Sequence, residues 1–148
     1  MIEKKDILLA LIYTPIKGKE NMMSPIQIMK SLFLLKQELN LENFYEFIPY
    51  LYGPCSFEVY SDLIKLKNED FVDEVLTSFS WKFWRITRQG KIYIKKKLPE
   101  FNKKLISKIQ EIKEKVLSMN FTELLSYVYK RYPEFAKNSV FNVEVLKK

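Results

Sequence analysis

Apolar positions recur at helical spacing along most of this chain, interrupted by two runs where they alternate as strands do. Ile2 to Tyr13 predicts a short amphipathic helix, with Ile7, Leu8, Leu9, Leu11, Ile12 and Tyr13 apolar and Glu3, Lys4, Lys5 and Asp6 solvated. Pro15 and Gly18 end it, and 16–23 reads as a polar, flexible loop. Ser24-Pro25-Ile26-Gln27 then opens a second helix, with Ser at the cap, Pro at the first helical position and Gln three residues after the cap. Over Pro25 to Leu39 it buries Ile26, Ile28, Met29, Leu32, Phe33 and Leu35 and keeps Lys30, Lys36, Gln37 and Glu38 wet. The loop 40–46 follows, with Leu41, Phe44 and Tyr45 packed down. Phe47 to Tyr52 is aromatic and β-prone, but Pro49 restricts it to an edge strand or an extended lead-in.

A turn at Gly53-Pro54 carries this segment into a third helix, 54–68. Ser56 is expected to cap its first N–H groups. Phe57, Val59, Tyr60, Leu63, Ile64 and Leu66 form its apolar stripe, and Glu58, Ser61, Asp62, Lys65 and Lys67 lie on the other face. Two strand-like runs come next, 71–76 and 83–87, joined by Thr77 to Lys82 as a hairpin. Thr87 caps a helix from Lys91 to Leu98, which Pro99 interrupts. From 100 to 119, Phe101, Leu105, Ile109, Ile112, Val116 and Met119 make one stripe, able to close over the chain's own core or pair with a second copy. A last helix has Thr122 as its cap, buries Leu124, Leu125, Val128 and Tyr129, and stops at Pro133. The tail from Val140 to Lys148 is apolar and short. Helix, helix, hairpin and Ile-Thr-x-x-Gly before another helix is the order of a winged helix-turn-helix. The fold class is therefore mainly α with a small β-hairpin wing, a core over 1–98 and a helical extension over 99–148.

Composition narrows the chemistry. Hydrophobic residues make up 47% of the 148, enough for one packed core. With no run of about 18 apolar residues and no signal-peptide pattern at the N-terminus, the expected location is cytoplasmic, with no membrane partner. There is no histidine, so the His-based triads and general bases are excluded, and Cys55 is alone, so no intrachain disulfide forms. Cys55 reads as a small packing residue, although a helix start would favour its thiolate. The three glycines form no phosphate-binding loop. The expected function is non-catalytic, without cofactor or metal.

Net charge is +7, and it is unevenly placed. Residues 1–80 hold 8 Lys/Arg against 12 Asp/Glu, and 81–148 hold 17 against 6. A basic second half suits double-stranded DNA or an acidic partner. The candidate phosphate contacts are Ser56, Lys65, Lys82, Arg85, Arg88, Lys91, Lys95 and Lys96, with Lys97 beside them. Such a set predicts a log–log salt slope of about −0.9 per phosphate neutralised. Trp81, Phe83 and Trp84 next to these charges could stack on bases or pin the hairpin to the core. The opposing reading is a solvated face, since lysine outnumbers arginine 22 to 3 and arginine is the usual reader of guanine. Tyr50, Tyr52, Gly53 and Pro54 set the angle between strand and helix, or dock a protein through exposed tyrosines.

Lys30 to Leu35 (Lys-Ser-Leu-Phe-Leu-Leu), Tyr52-Gly53-Pro54 with its helix, and Ile86-Thr87-x-x-Gly90 together resemble the SocA-like or Panacea-type antitoxin domain of phage-associated and toxin–antitoxin loci. Tyr129-x-x-Tyr132-Pro133 with Asn138-Ser139 is similar to the end of related helix-turn-helix proteins. Cys55 and Leu51 depart from the commoner pattern around Tyr-Gly-Pro. The resemblance implies a domain that neutralises or delivers a protein partner such as a toxin, with transcriptional control as well. The expected activity is thus a DNA-binding, antitoxin-like regulator acting as a monomer or homodimer. The alternative is a protein-binding adaptor that uses the same fold without DNA.

Overall fold

A computed structural model describes residues 2–78 and 82–140. The described residues form six helices and two antiparallel hairpins: α1 (Lys4–Tyr13), α2 (Pro25–Leu39), β1 (Ile48–Tyr50), β2 (Gly53–Cys55), α3 (Phe57–Asn68), β3 (Val72–Val75), β4 (Phe83–Ile86), α4 (Arg88–Lys97), α5 (Lys103–Leu117) and α6 (Phe121–Arg131). None of these helices is long and apolar enough to cross a membrane. Trp81 and most of the apolar tail, 141–148, lie outside the described residues.

The first helix is a hub, which corrects its amphipathic reading. Every residue from Asp6 to Ile12 is buried, and α2, α3, α4, α5 and β4 all pack around it. A helix apolar on every side belongs in a core. Asp6, expected in solvent, is buried because it has two donors: the Glu3 backbone N–H at 2.8 Å and the Tyr93 hydroxyl at 2.8 Å. Burial and that hydrogen bond push the Tyr93 phenol up to about 12. At the other end of α1, the buried Lys113 ammonium of α5 donates to the Ile12 and Thr14 carbonyls at 2.9 and 2.7 Å. It meets the negative end of the helix dipole. Burial pulls its pKa down to about 7.

The second helix forms as its signals dictate. Ser24 Oγ accepts from the Gln27 N–H, Gln27 Oε1 accepts from the Ser24 N–H, and Pro25 takes the first turn. The 100–119 stripe lies inside the same core: Phe101, Leu105, Ile109, Ile112 and Val116 are buried and Met119 is partly so. The helix carrying it is shorter than the stripe, because a single 3-10 turn over Leu98–Glu100 precedes Asn102, whose Oδ1 accepts from the Leu105 N–H. In α6 the cap is Asn120, not Thr122. Asn120 and Glu123 form a reciprocal capping box, and the four expected residues, Leu124, Leu125, Val128 and Tyr129, are buried.

The β3–β4 hairpin pairs Val72 with Ile86 and Val75 with Phe83. The loop before α2 is anchored rather than free. Met23 is fully buried, and its N–H and carbonyl bond the Trp84 backbone at 2.9 and 2.8 Å. Trp84 itself is buried, so it pins the hairpin. The Ile-Thr-x-x-Gly motif closes the hairpin in a defined way. Thr87 Oγ1 donates to the Asp70 carbonyl at 2.6 Å and accepts from the Gly90 N–H at 3.0 Å. A Cβ on Gly90 would stand 2.1 Å from the Phe71 carbonyl oxygen, so only glycine lets α4 approach so closely.

Candidate protein-docking surface

The Gly53-Pro54 turn does not start a helix directly. It closes a second hairpin, in which Tyr50 pairs with Gly53 and Ile48 with Cys55, leaving Leu51 and Tyr52 at the tip. Gly53 takes φ +92°, and a Cβ there would lie 2.6 Å from the Tyr129 ring. Pro54 is therefore a strand residue, and α3 begins at Phe57. Ser56 precedes it without a side-chain cap. Ser56 is also buried, with its N–H donated to Met29 Sδ at 3.3 Å, so it is removed from the phosphate candidates. Gly53 and Pro54 are buried and shape the surface, whereas Tyr50 and Tyr52 stand on it.

The helix that follows carries two apolar stripes. At about 100° per residue, Val59, Leu63 and Leu66 share one direction and Phe57, Tyr60 and Ile64 another, roughly 130° away. The first set is buried. The second, expected in the core, is 55%, 42% and 48% exposed. Asp62, assigned to the wet face, turns inward with the buried set. The fully buried Tyr45 explains this, since its hydroxyl donates to Asp62 Oδ2 at 2.6 Å. Burial and that carboxylate raise the Tyr45 phenol. Lys4 stands over the Tyr45 ring and pairs with Glu58 at 2.6 Å, and Lys65 lies 3.7 Å from Asp62.

The exposed stripe joins the hairpin tip. Tyr50 meets Phe57 edge to face with centroids 5.2 Å apart, and Tyr52 meets Phe121 of α6 at 5.7 Å. Leu51 is 44% exposed between them. Between this surface and the start of α2 lies a groove of about 170 Å³ lined by Ile26, Met29, Lys30, Cys55 and the aromatic rings. Lys30 was expected in solvent. It is 2% exposed, and its ammonium donates to the Pro54 carbonyl at 3.1 Å. Burial pulls its pKa to about 8. Cys55 is a buried packing residue, its thiol pushed up by burial. The tip is tied down from the far end of the chain: the Val140 N–H donates to the Leu51 carbonyl at 2.9 Å and Tyr129 Oη donates to Ser139 Oγ at 2.6 Å.

Four of the basic candidates, Arg88, Lys91, Lys95 and Lys96, share α4, and several of the set are paired with carboxylates. Lys82 pairs with Glu74 at 3.1 Å, Arg85 faces Asp73 across the hairpin at 4.0 Å, and Lys91 pairs with Glu20. Lys67 shares Glu74, and these cations hold that carboxyl below its usual range. Arg88, Lys95 and Lys96 are exposed on α4, and no carboxylate pairs with them among the described residues. The exposed stripe was missed in the sequence because six apolar residues in twelve satisfy two helical faces equally. The signal that could have separated them is the 57, 60, 64 spacing, which continues the aromatic run of the hairpin tip. No protein-family model matches this chain, and no curated protein matches it.

Proposed function

We propose that this chain is a non-catalytic, antitoxin-like adaptor with a winged helix-turn-helix fold that holds another protein against α3 and the β1–β2 tip. The order of elements supports the fold: α1, the Met23 bridge to β4, α2, α3 and the β3–β4 hairpin follow one another as helix, short strand, two helices and wing do. On that reading α3 stands where a recognition helix would.

One observation carries the function. The outward face of α3 presents Phe57, Tyr60 and Ile64, continuous with Tyr50, Leu51 and Tyr52. A groove in DNA is read by hydrogen-bonding and cationic side chains. A protein surface instead gains about 1.5–3 kcal/mol for each such side chain that it fully buries. Aromatic residues at a rim of tyrosine hydroxyls are also what protein interfaces enrich. Toxin neutralisation or partner delivery, as the antitoxin resemblance implies, uses a surface of this kind.

The test is a photo-crosslinking phenylalanine analogue at position 60, in cells that make the chain naturally. A discrete protein adduct is expected, and Phe57→Asp or Ile64→Asp should remove it without lowering the melting temperature. No protein adduct from this position overturns the reading. A second reading keeps DNA as the ligand, favoured by Arg88, Lys95 and Lys96. Fluorescence anisotropy of a labelled random duplex across a salt series decides it. Under the docking reading no saturable binding appears at physiological salt. Binding that weakens with salt and is lost in Arg88→Glu/Lys96→Glu would support DNA instead.

A further inference from the structure

The groove beneath the hairpin tip has an unusual charge for its lining. Its walls are Met29, Tyr50, Phe57 and Tyr60, no carboxylate lines it, and Lys30 is the single charged residue among those that do. A lysine ammonium has three N–H donors. The acceptor recorded for Lys30 is one backbone carbonyl, that of Pro54, and no carboxylate pairs with it among the described residues. The other buried lysine, Lys113, has two carbonyls at a helix end, where the dipole itself acts as counter-charge. Lys30 has no carboxylate among the described residues to compensate it: the acidic group beside it is the Cys55 thiol, itself pushed up by burial, and it sits in a largely apolar wall, where burial pulls its pKa downward and a missing counter-ion is most strongly felt.

We infer that this groove receives an acidic side chain of the docked protein, its methylene stem against Tyr50, Phe57 and Tyr60 and its carboxylate directed to Lys30. The inference rests on the docking reading and names the chemistry of the partner at that surface. Charge complementarity selects a carboxylate over an apolar tip, because a wholly apolar occupant would seal the ammonium away from water without an anion. The groove's volume, ≈ 170 Å³, suits one side chain rather than a length of backbone. Tyr50 and Tyr60, which also line it, each carry a hydroxyl donor. Specificity follows from the same arrangement, since an amide in place of the acid leaves the buried cation uncompensated.

The test uses twelve-residue random peptides displayed on phage, panned on the full chain and counter-selected on Phe57→Asp. Retained peptides are expected to carry Asp or Glu beside an apolar residue. Changing that acid to its amide should weaken binding about tenfold or more to the wild type, as a charge-assisted hydrogen bond implies. The same change should have little effect on binding to Lys30→Met, while Lys30→Arg keeps the preference for the acid. If Lys30→Met does not fold, the Nζ resonance of Lys30 in the wild type gives the same answer, moving with the acidic peptide and not with its amide. Patch-dependent peptides indifferent to the acid would overturn the carboxylate site and leave the docking surface standing. A library that yields no patch-dependent peptide overturns both.

Discussion

Asp62 and Lys30 show how a single partner reverses the side of a helix on which a residue lies. Both are charged residues that helical spacing alone assigns to solvent. Tyr45 draws Asp62 inward through a 2.6 Å hydrogen bond, and the Pro54 carbonyl does the same for Lys30 at 3.1 Å. Neither partner is adjacent in sequence, so no local pattern could have announced them. Glycine was easier to read. Gly53 is required twice over, by its positive φ and by the Tyr129 ring, so Gly53→Ala is expected to destabilise the chain by about 1–3 kcal/mol in urea unfolding. Gly90→Ala meets a backbone oxygen, which cannot rotate away, and is expected to lose at least as much. If Gly90→Ala unfolds at the wild-type urea concentration, the close approach of α4 to Phe71 is not what holds the hairpin shut.

Helices with one apolar stripe and a cap were legible both as elements and in the face they bury; the third helix, with two stripes, was legible as a helix but not in which face it buries. The Ser24 box, the Thr87 cap and the Leu105 to Val116 stripe are local, and each stands where its residues imply. The third helix carries apolar residues over two arcs, and only the neighbours in space decide which arc is covered. The β1–β2 hairpin was obscured by Pro54, which reads as a helix start but occupies a strand. At this scale α5 and α1 are joined by Lys113, and the join has a sign. Its folded pKa, about 7, lies below the ordinary lysine value near 10.5, so the folded chain releases the proton first. Stability therefore rises with pH through that window, and below about 7 the full penalty of the buried charge is present. Each unit of displacement corresponds to about 1.4 kcal/mol, and Lys30 adds a smaller rise in the same direction above about 8. Melting temperature is expected to climb from pH 7 to 9.5 and to climb less in Lys113→Met; an unchanged slope in the variant would exclude Lys113 as its source.

Across the whole molecule, carboxylates of the acidic half reach part of the basic C-terminal half. Glu74, Asp73 and Glu20 come from the acidic half to meet Lys82, Arg85 and Lys91, so a segregation obvious in one dimension is partly undone by folding. The β1–β2 tip was legible as a turn with exposed tyrosines, while the part of the surface that α3 adds was not, because its exposure depends on which side of that helix the core takes. Its support is non-local too. Tyr129→Phe keeps the ring beneath Gly53 and deletes the bond to Ser139, a change of about 0.5–1.5 kcal/mol. Amide hydrogen exchange at Leu51 to Gly53 should accelerate more than exchange in α1; equal acceleration everywhere would make the bond a global support and not a local one.

The tether from Val140 to Leu51 also sets an order of events during synthesis. The hairpin tip leaves the ribosome well before the residues that brace it, and domains begin to organise from the N-terminal side as they emerge. The Leu51 carbonyl waits for residue 140, and the Gly53 turn waits for Tyr129. A nascent chain thus carries the exposed tyrosines of the tip without their scaffold until residue 140 has emerged, and the surface proposed to dock a partner is braced only from that point.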